Sequence, residues 1–258
     1  MEDGISEQNR LEALVERQLK AVLFDLYETL VTYFDPHWAP PRQSIAQRLG
    51  LEERTFADFW QSVDKAWEAG DIGDYEEALA QVCAAAQKPP DFALFSQLCQ
   101  ERQQICARPF QTIEPQIIQM LTRLRESDLR LGVITNASNM DTAPWLDCPL
   151  APFFDCFVAS HEVRFLKPDR RIYTLACRLL EVSPGEAIFV GDGGCNELHG
   201  AADAGLTVFW CTWFLDRWPA GIRPNSFPGD NWRQYPIVGE PPYKRLTQPE
   251  ELLSSIIE

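Results

Sequence analysis

The stretch AVLFDLYETLV, residues 21–31, decides the fold that we predict for this chain. Its first four residues are apolar, a run that is too short for a free-standing helix and typical of a buried parallel strand. Asp25 follows directly, so it lies at the carboxyl end of the predicted strand. In open α/β sheets this edge binds ligands. Asp is also common where strands end, so an ordinary loop residue remains the alternative interpretation of Asp25.

Three further segments join an apolar run or a loop to polar or glycine residues. They are LGVITN at 131–136, KPD at 167–169 and IFVGDGGCNE at 188–197. With Asp25 they supply a carboxylate nucleophile, hydroxyl and amide donors, an ammonium and a second carboxylate. Attack on a phosphoryl group needs these groups. Each segment alone carries little information, but the four together in this order are specific.

In these four segments the sequence resembles the haloacid dehalogenase superfamily of hydrolases, over most of residues 20 to 210. The resemblance implies an α/β fold, with a Rossmann-like parallel sheet core and an inserted all-α cap domain of subfamily I, C1 type. Strands and helices alternate after residue 115, which also favours a mostly parallel sheet. We therefore expect a discontinuous core at 1–33 and 115–258 and a helical cap at 34–114.

Residue patterns within these regions predict individual elements. Residues 74 and 91 are aspartates that we expect to cap two cap helices, and Trp60 and Trp67 lie seven apart on one face of a third. Those two tryptophans and Trp38 could line a substrate pocket, but burial of the helix is the favoured interpretation. The other expected features are an amphipathic helix at 11–19, cap helices at 42–49, 52–69, 75–86 and 92–107, a core helix at 139–146, and an irregular, tryptophan-containing segment at 213–245.

The resemblance implies that Asp25 attacks phosphorus to give an aspartyl-phosphate that water then hydrolyses. It also implies Mg²⁺ as the cofactor, held by the Asp25 and Asp192 carboxylates, the backbone carbonyl of Tyr27, and Glu197. A hard cation prefers oxygen ligands and offsets the repulsion between the two anions that react. Glu197 also fits a simpler role as a favourable acidic residue in the first turn of the following helix.

Thr135, Asn136 and Lys167 are the remaining candidates for the site. Thr135 and Asn136 end a strand just before a helix, so their hydroxyl and amide can meet a phosphate oxygen. The same pair also fits a plain turn with a helix cap. Lys167 is expected to neutralise Asp25 and the phosphate, although a lone loop lysine is usually solvated. We predict that the catalytic residues are Asp25, Thr135 and Lys167. We predict that substrate is bound by Tyr27, Thr135, Asn136 and Lys167.

Tyr27 departs from the pattern of the family's phosphatases, which usually carry a second aspartate there as general acid and base. A phenol with a pKa near ~10 is a poor base at neutral pH, so Glu28, His161 or a cap residue would have to substitute. A tyrosine at this place resembles the family's metal-free 2-haloacid dehalogenases. Asp192 favours the metal-dependent phosphatase, because a second negative charge beside the nucleophile calls for a cation. The dehalogenase and a catalytically quiet binding protein remain alternatives.

The charge and composition of the chain limit the kinds of partner that it can bind. Its 258 residues carry a formal net charge of −15, which argues against nucleic acid and anionic membrane surfaces. Eight cysteines without a Cys-x-x-Cys pair are typical of reduced thiols. The N-terminus shows no targeting pattern and no window is long and apolar enough to span a bilayer. We expect a cytoplasmic monomer or homodimer whose partner is a small phosphorylated substrate.

Overall fold

The structure, a computed structural model, describes residues 19–37, 42–218 and 242–257. Its strands form one sheet in the order β3-β2-β1-β4-β5-β6, and every neighbouring pair is parallel. The first strand lies in the middle, and its four residues are fully buried, as a continuous apolar run requires. The strands are β1 (Ala21–Phe24), β2 (Arg130–Thr135), β3 (Cys156–Ala159), β4 (Ala187–Gly191), β5 (Thr207–Cys211) and β6 (Lys244–Leu246).

Helices cover both faces of this sheet and also form an insertion between β1 and β2. None of the described helices is long and apolar enough to cross a membrane. The helices are α1 (Ile45–Arg48), α2 (Glu53–Glu68), α3 (Tyr75–Ala85), α4 (Phe92–Gln111), α5 (Pro115–Glu126), α6 (Asn139–Thr142), α7 (Ser160–Val163), α8 (Arg170–Leu179), α9 (Glu197–Asp203) and α10 (Pro249–Ile256).

Alternation along β1 divides the core into two apolar layers. Val22 and Phe24 join the cluster that packs against α5 and α10, whereas Ala21 and Leu23 join the cluster that packs against α8 and α9. Strands are added on both sides of β1: β2 and β3 lie on one side, and β4 to β6 lie on the other. The connections that leave β1 and β4 therefore part at this point of the sheet. The carboxyl ends of β1 and β4 therefore border the crevice where open sheets bind ligands. The predicted α/β fold is confirmed.

The inserted helices have a hydrophobic core of their own. Trp60 and Trp67 in α2 are 6% and 1% exposed and pack with Phe56 and Tyr75, so burial of this helix face is confirmed. The predicted caps are confirmed as well, since a carboxylate oxygen of each of the two aspartates accepts a backbone N–H of its helix. This separate hydrophobic core is evidence that the inserted helices form a cap domain. The limits of that domain at 34 and 114 stay a prediction.

Two of the predicted elements differ from the structure. The helix expected at 139–146 is α-helical only to Thr142 and continues as a 3₁₀ segment, Ala143–Asp147, because Pro144 has no N–H with which to continue an α-helix. The segment at 213–245, expected to be irregular, ends within the short edge strand β6, of which only Leu246 is buried. The remainder of that segment from 219 to 241, the helix at 11–19 apart from Leu19, and Trp38 lie outside the described residues.

Candidate active site

The ends of β1 and β4 bring together the acidic residues predicted from distant segments. The Asp25 backbone N–H donates to the Val190 carbonyl at 2.9 Å, which aligns the two strand ends. Asp192 follows β4, and Glu197 begins α9. One carboxylate oxygen from each of Asp25, Asp192 and Glu197 lies within 4.8 Å of the other two. This geometry is compatible with a shared cation.

Lys167 reaches the same place from the loop between α7 and α8. Its ammonium contacts Asp25 Oδ1 and lies 2.5 Å from Glu197 Oε2. The side chain is only 3% exposed. Burial alone would lower the pKa of Lys167, but the carboxylates of Asp25 and Glu197 raise it well above its ordinary value. The lysine therefore remains charged beside the candidate nucleophile and also contacts Glu197, while its catalytic role stays a prediction.

Negative charge exceeds positive charge at this site, because three carboxylates face one ammonium among the described residues. Burial, together with the charge of Asp25, raises the pKa of Asp192 to about 6 and that of Glu197 well above its usual range. Close, buried carboxylates repel each other unless a cation balances them. Mg²⁺ prefers carboxylate oxygens, so Asp25, Asp192 and Glu197 form a donor set that fits this ion.

Glycines shape the loop that carries two of these acids. A Cβ atom on Gly191 would lie 2.2 Å from Glu197 Oε1, so only glycine leaves room for that carboxylate. The same oxygen accepts the N–H of Gly193, which has a φ of +93°. Asp192 Oδ1 accepts the N–H of Gly194 at 2.8 Å. Backbone donors therefore orient both carboxylates.

Helix α9 is fixed by two contacts with distant segments. The Tyr173 hydroxyl in α8 donates to the Glu197 carbonyl at 2.8 Å. A Cβ atom on Gly200 would lie 2.5 Å from the Pro168 carbonyl oxygen, so this helix packs directly on the loop of Lys167. Tyr173 belongs to no recognisable motif, and its function follows only from the packing of α8 against α9.

Thr135 ends β2, the neighbour of β1, and its side chain is almost completely buried. Its hydroxyl oxygen has no hydrogen-bond partner among the described residues. A buried polar group without a partner costs roughly 1 to 3 kcal/mol, so such groups are uncommon outside ligand sites. The hydroxyl is therefore available to a ligand, and its contact with substrate stays a prediction.

Asn136 has a contact different from the one predicted. Its Nδ2 donates to the Lys167 carbonyl at 3.0 Å, and its Oδ1 accepts the Lys167 backbone N–H at 2.7 Å. This reciprocal pair joins the end of β2 to the lysine loop. The amide therefore holds Lys167 in position, and direct binding of substrate by Asn136 stays a prediction.

The phenol of Tyr27 is directed towards the junction between cap and core. It donates to the Asp141 carbonyl at 2.8 Å, and its ring stacks on Tyr33 with 5.1 Å between the centroids. Burial raises the pKa of Tyr27 well above its ordinary value. The hydroxyl therefore does not take the place of the missing aspartate, and the predicted binding of substrate by this side chain gains no support. Coordination by the Tyr27 carbonyl stays a prediction.

The two named substitutes for that aspartate are also held by other groups. Glu28, which is 1% exposed, accepts the Thr32 hydroxyl at 2.8 Å and the Tyr33 N–H at 2.9 Å. Burial raises its pKa to about 8. His161 Nδ1 lies 3.0 Å from the Ala137 carbonyl oxygen. In this arrangement both side chains stabilise loops beside the site.

Beneath the cap, Asp141 forms a second buried acidic group. Arg102 in α4 donates to its Oδ1 at 3.3 Å, and the Ser138 N–H and hydroxyl donate to its Oδ2 at 3.0 and 2.7 Å. The guanidinium lies over the rings of Trp67 and Tyr75, 4.8 and 4.9 Å from their centroids. The core of the cap therefore contacts the segment that follows β2. The sequence did not indicate this pair.

A sequence model of the haloacid dehalogenase-like hydrolase family matches residues 19–205, which is more than half of the chain. The parallel sheet and the convergence of the four predicted segments agree with that match. The protein belongs to the haloacid dehalogenase-like hydrolases.

Individual relatives within this family have different activities. The chain is 33% identical to N-acylneuraminate-9-phosphatase of Rattus norvegicus over 96 residues, which are 37% of this chain and 38% of the rat protein. It is 24% identical over 202 residues to (S)-2-haloacid dehalogenase H-109 of Pseudomonas putida, covering 74% and 85% of the two chains. The match to the phosphatase thus spans well under half of that protein's length.

Solved structures agree in fold. A 2-haloacid dehalogenase from Pseudomonas syringae pv. Tomato DC3000 superposes with a TM-score of 0.59 at 20% identity, over 92% of this chain and 98% of that one. At this identity the likeness concerns the fold alone.

Proposed function

We propose that the protein is a Mg²⁺-dependent phosphatase that hydrolyses a small phosphorylated metabolite through an aspartyl-phosphate at Asp25. The observation that carries this proposal is the approach of Asp25, Asp192 and Glu197 oxygens to within 4.8 Å of one another. Such a set favours a divalent cation, and relatives named as phosphatases support phosphate esters as the substrate class. When bound, Mg²⁺ would neutralise the negative charge of the phosphoryl group and of the carboxylates around it.

The residues of the chain account for both halves of the reaction. The Asp25 carboxylate forms a bond to phosphorus while the bond from phosphorus to the leaving oxygen breaks. Lys167 keeps a positive charge beside Asp25, and the free Thr135 hydroxyl can donate to a phosphoryl oxygen. Water then attacks the phosphorus of the acyl phosphate, which releases inorganic phosphate and restores the Asp25 carboxylate.

The position of Tyr27 narrows the substrate class. Its phenol donates to the Asp141 carbonyl, so it does not protonate a leaving oxygen in this arrangement. Substrates whose leaving group departs as a stable anion need no such proton. The proposed substrates are therefore aryl or acyl phosphates rather than simple alkyl esters.

Two other activities remain as alternatives. Tyr27 and the match to a dehalogenase favour halide displacement from a 2-haloacid at Asp25. Against it, Asp192 and Glu197 would repel the carboxylate of such a substrate unless a cation covered them. A protein that binds a ligand without turnover is the third candidate, motivated by the absence of an aspartate at position 27.

Hydrolysis assays with the purified full chain separate these alternatives. We expect p-nitrophenyl phosphate to be hydrolysed faster than glycerol phosphate in Mg²⁺, and EDTA to stop both reactions. Asp25→Asn should remove the activity, whereas Asp203→Asn, an exposed acid at the end of α9, should not. Chloride release from 2-chloropropionate in EDTA would establish the dehalogenase instead. Binding of Mg²⁺ without turnover on a broad phosphate panel would favour the binding protein.

A further inference from the structure

We infer that Cys211 is a positioning residue that orients the candidate nucleophile through Thr29. This inference rests on the proposed function, because the reaction assigns Asp25 its role. Neither Thr29 nor Cys211 is a predicted site residue, and the proposed reaction uses neither directly. The two side chains form a buried path from the end of β5 to the carboxylate of Asp25.

Thr29 lies one step from the nucleophile. Its hydroxyl donates to Asp25 Oδ2 at 3.3 Å, while Oδ1 of the same carboxylate contacts Lys167. Thr29 is fully buried, so no water competes for this hydroxyl. The two oxygens of the carboxylate therefore have different partners, and both contacts restrain its rotation.

Cys211 supplies the next step. Its sulfur lies 3.4 Å from the Thr29 hydroxyl oxygen, and its side chain is fully buried. A hydroxyl has one proton, so once Thr29 donates to Asp25 it can only accept from the thiol. Burial raises the pKa of Cys211 well above its ordinary value, which keeps the thiol protonated as a donor. The result is a directed chain from the thiol through the hydroxyl to the carboxylate.

The same segment also holds the backbone of Thr29. The Trp213 indole N–H donates to the Thr29 carbonyl at 2.9 Å. Cys211 ends β5, which is paired with β4 beside the loop of Asp192. The end of β5 thus contacts Thr29 at both its hydroxyl and its carbonyl. A rigid strand thereby fixes the residue that orients Asp25.

Accurate orientation matters because an attacking carboxylate must lie in line with the phosphorus atom. Without the thiol, the Thr29 hydroxyl is free to turn its proton away from Asp25. Substrate contacts made by Thr135 and Lys167 remain in place. The loss should therefore appear in kcat and not in KM.

The experiment is a double-mutant cycle on p-nitrophenyl phosphate hydrolysis in Mg²⁺. Cys211→Ala should lower kcat about 3- to 10-fold with KM unchanged, because one hydrogen bond is lost. Cys211→Ser, which keeps a donor, should restore kcat. In a Thr29→Val background, Cys211→Ala should have no further effect. Cys177→Ala, a buried cysteine on the opposite face of the sheet, is the control and should leave kcat unchanged.

The outcomes distinguish this inference from the proposed function. Turnover in the wild type with full activity in Cys211→Ala, or with an equal loss in both Cys211 variants, overturns the inference alone. A full additional loss in the Thr29→Val background overturns it as well. Absence of turnover in the wild type overturns both. Urea unfolding of each variant confirms that the compared proteins are folded. If the alanine variant does not fold, Cys211→Val, which also removes the donor but leaves a smaller cavity, replaces it with the same expected loss of kcat.

Discussion

Two buried acidic centres in this protein differ in how their charge is balanced. At the carboxyl edge of the sheet, Asp25, Asp192 and Glu197 share Lys167 as their one cation among the described residues. At the cap junction, the single carboxylate of Asp141 accepts from a guanidinium, a hydroxyl, a thiol and a backbone N–H. In this second, balanced centre one carboxylate is paired with one cation and with hydrogen-bond donors, as a structural contact requires. The unbalanced centre has three carboxylates for one ammonium among the described residues, and such an excess of buried negative charge is typical of a reaction site.

Neutralising one acid in each centre should separate activity from stability most clearly. We expect Asp25→Asn to lower kcat at least about 10⁴-fold, because the nucleophile is lost. The free energy of unfolding of this variant should be unchanged, since Lys167 keeps Glu197 as a partner. Asp141→Asn should do the reverse, lowering stability and preserving activity below its melting temperature. Equal effects of the two variants on stability would contradict the comparison.

Of the proposed substitutions, the one that removes the cation from the balanced centre should lower the free energy of unfolding most. Arg102→Met leaves the Asp141 carboxylate buried without its cation, at a cost of about 3 to 5 kcal/mol in urea unfolding. The double variant with Asp141→Asn should be more stable than Arg102→Met alone. Arg48→Met, which breaks a partly exposed pair with Glu101, is the control and should cost about 1 kcal/mol or less. A double variant no more stable than Arg102→Met would show that charge balance does not matter there.

Glu28 is a third case, a carboxylate held by hydrogen-bond donors with no cation paired to it in the part of the chain that the structure describes. Its folded-state pKa of about 8 lies above the ordinary 4.5, so the folded protein retains a proton that the unfolded chain releases. Stability should therefore fall as pH rises from about 4.5 to 8, by up to about 1.4 kcal/mol per pH unit. Glu28→Gln should flatten this slope in urea titrations with EDTA. Exposed Glu126→Gln is the control, and an unchanged slope in Glu28→Gln would refute the assignment.

The smallest expected effect concerns Tyr27, which contacts the balanced centre. Tyr27→Phe removes the bond to the Asp141 carbonyl, so we expect a loss of about 1 kcal/mol in stability and less than about threefold in kcat. Tyr173→Phe removes a bond of equal length to the Glu197 carbonyl at the unbalanced centre. It should raise the Mg²⁺ concentration for half-maximal activity. A large fall in kcat for Tyr27→Phe would instead show that the phenol takes part in the reaction.

Local patterns were sufficient to predict the strands and helices around the site. The apolar run at 21–24 and the glycines after β4 are signals within one segment, and the rule that parallel strands end at one edge brings those segments together. This is why Asp25 and Asp192 could be expected to meet, whereas the place of Lys167 beside them was implied by the family resemblance. β6 has no such signal, because an edge strand of three residues with one buried side chain lacks a readable alternation.

Contacts between distant segments could not be predicted. Arg102 and Asp141 are 39 positions apart, in the cap and in the core, and no periodicity relates them. The directions of the Tyr27 phenol and the Asn136 amide depend on which neighbours tertiary packing brings near. Thr29 had a weak signal, its spacing of four residues from Asp25, but nothing in the sequence pairs it with Cys211.

Residues without a functional group should constrain this chain as strongly as its acids do. Gly191 leaves space for the Glu197 carboxylate, and Gly200 allows α9 to approach the Pro168 carbonyl. Every larger side chain at either position would displace one of these groups. A library of all single substitutions selected for activity should therefore show both glycines to be as intolerant of exchange as Asp25.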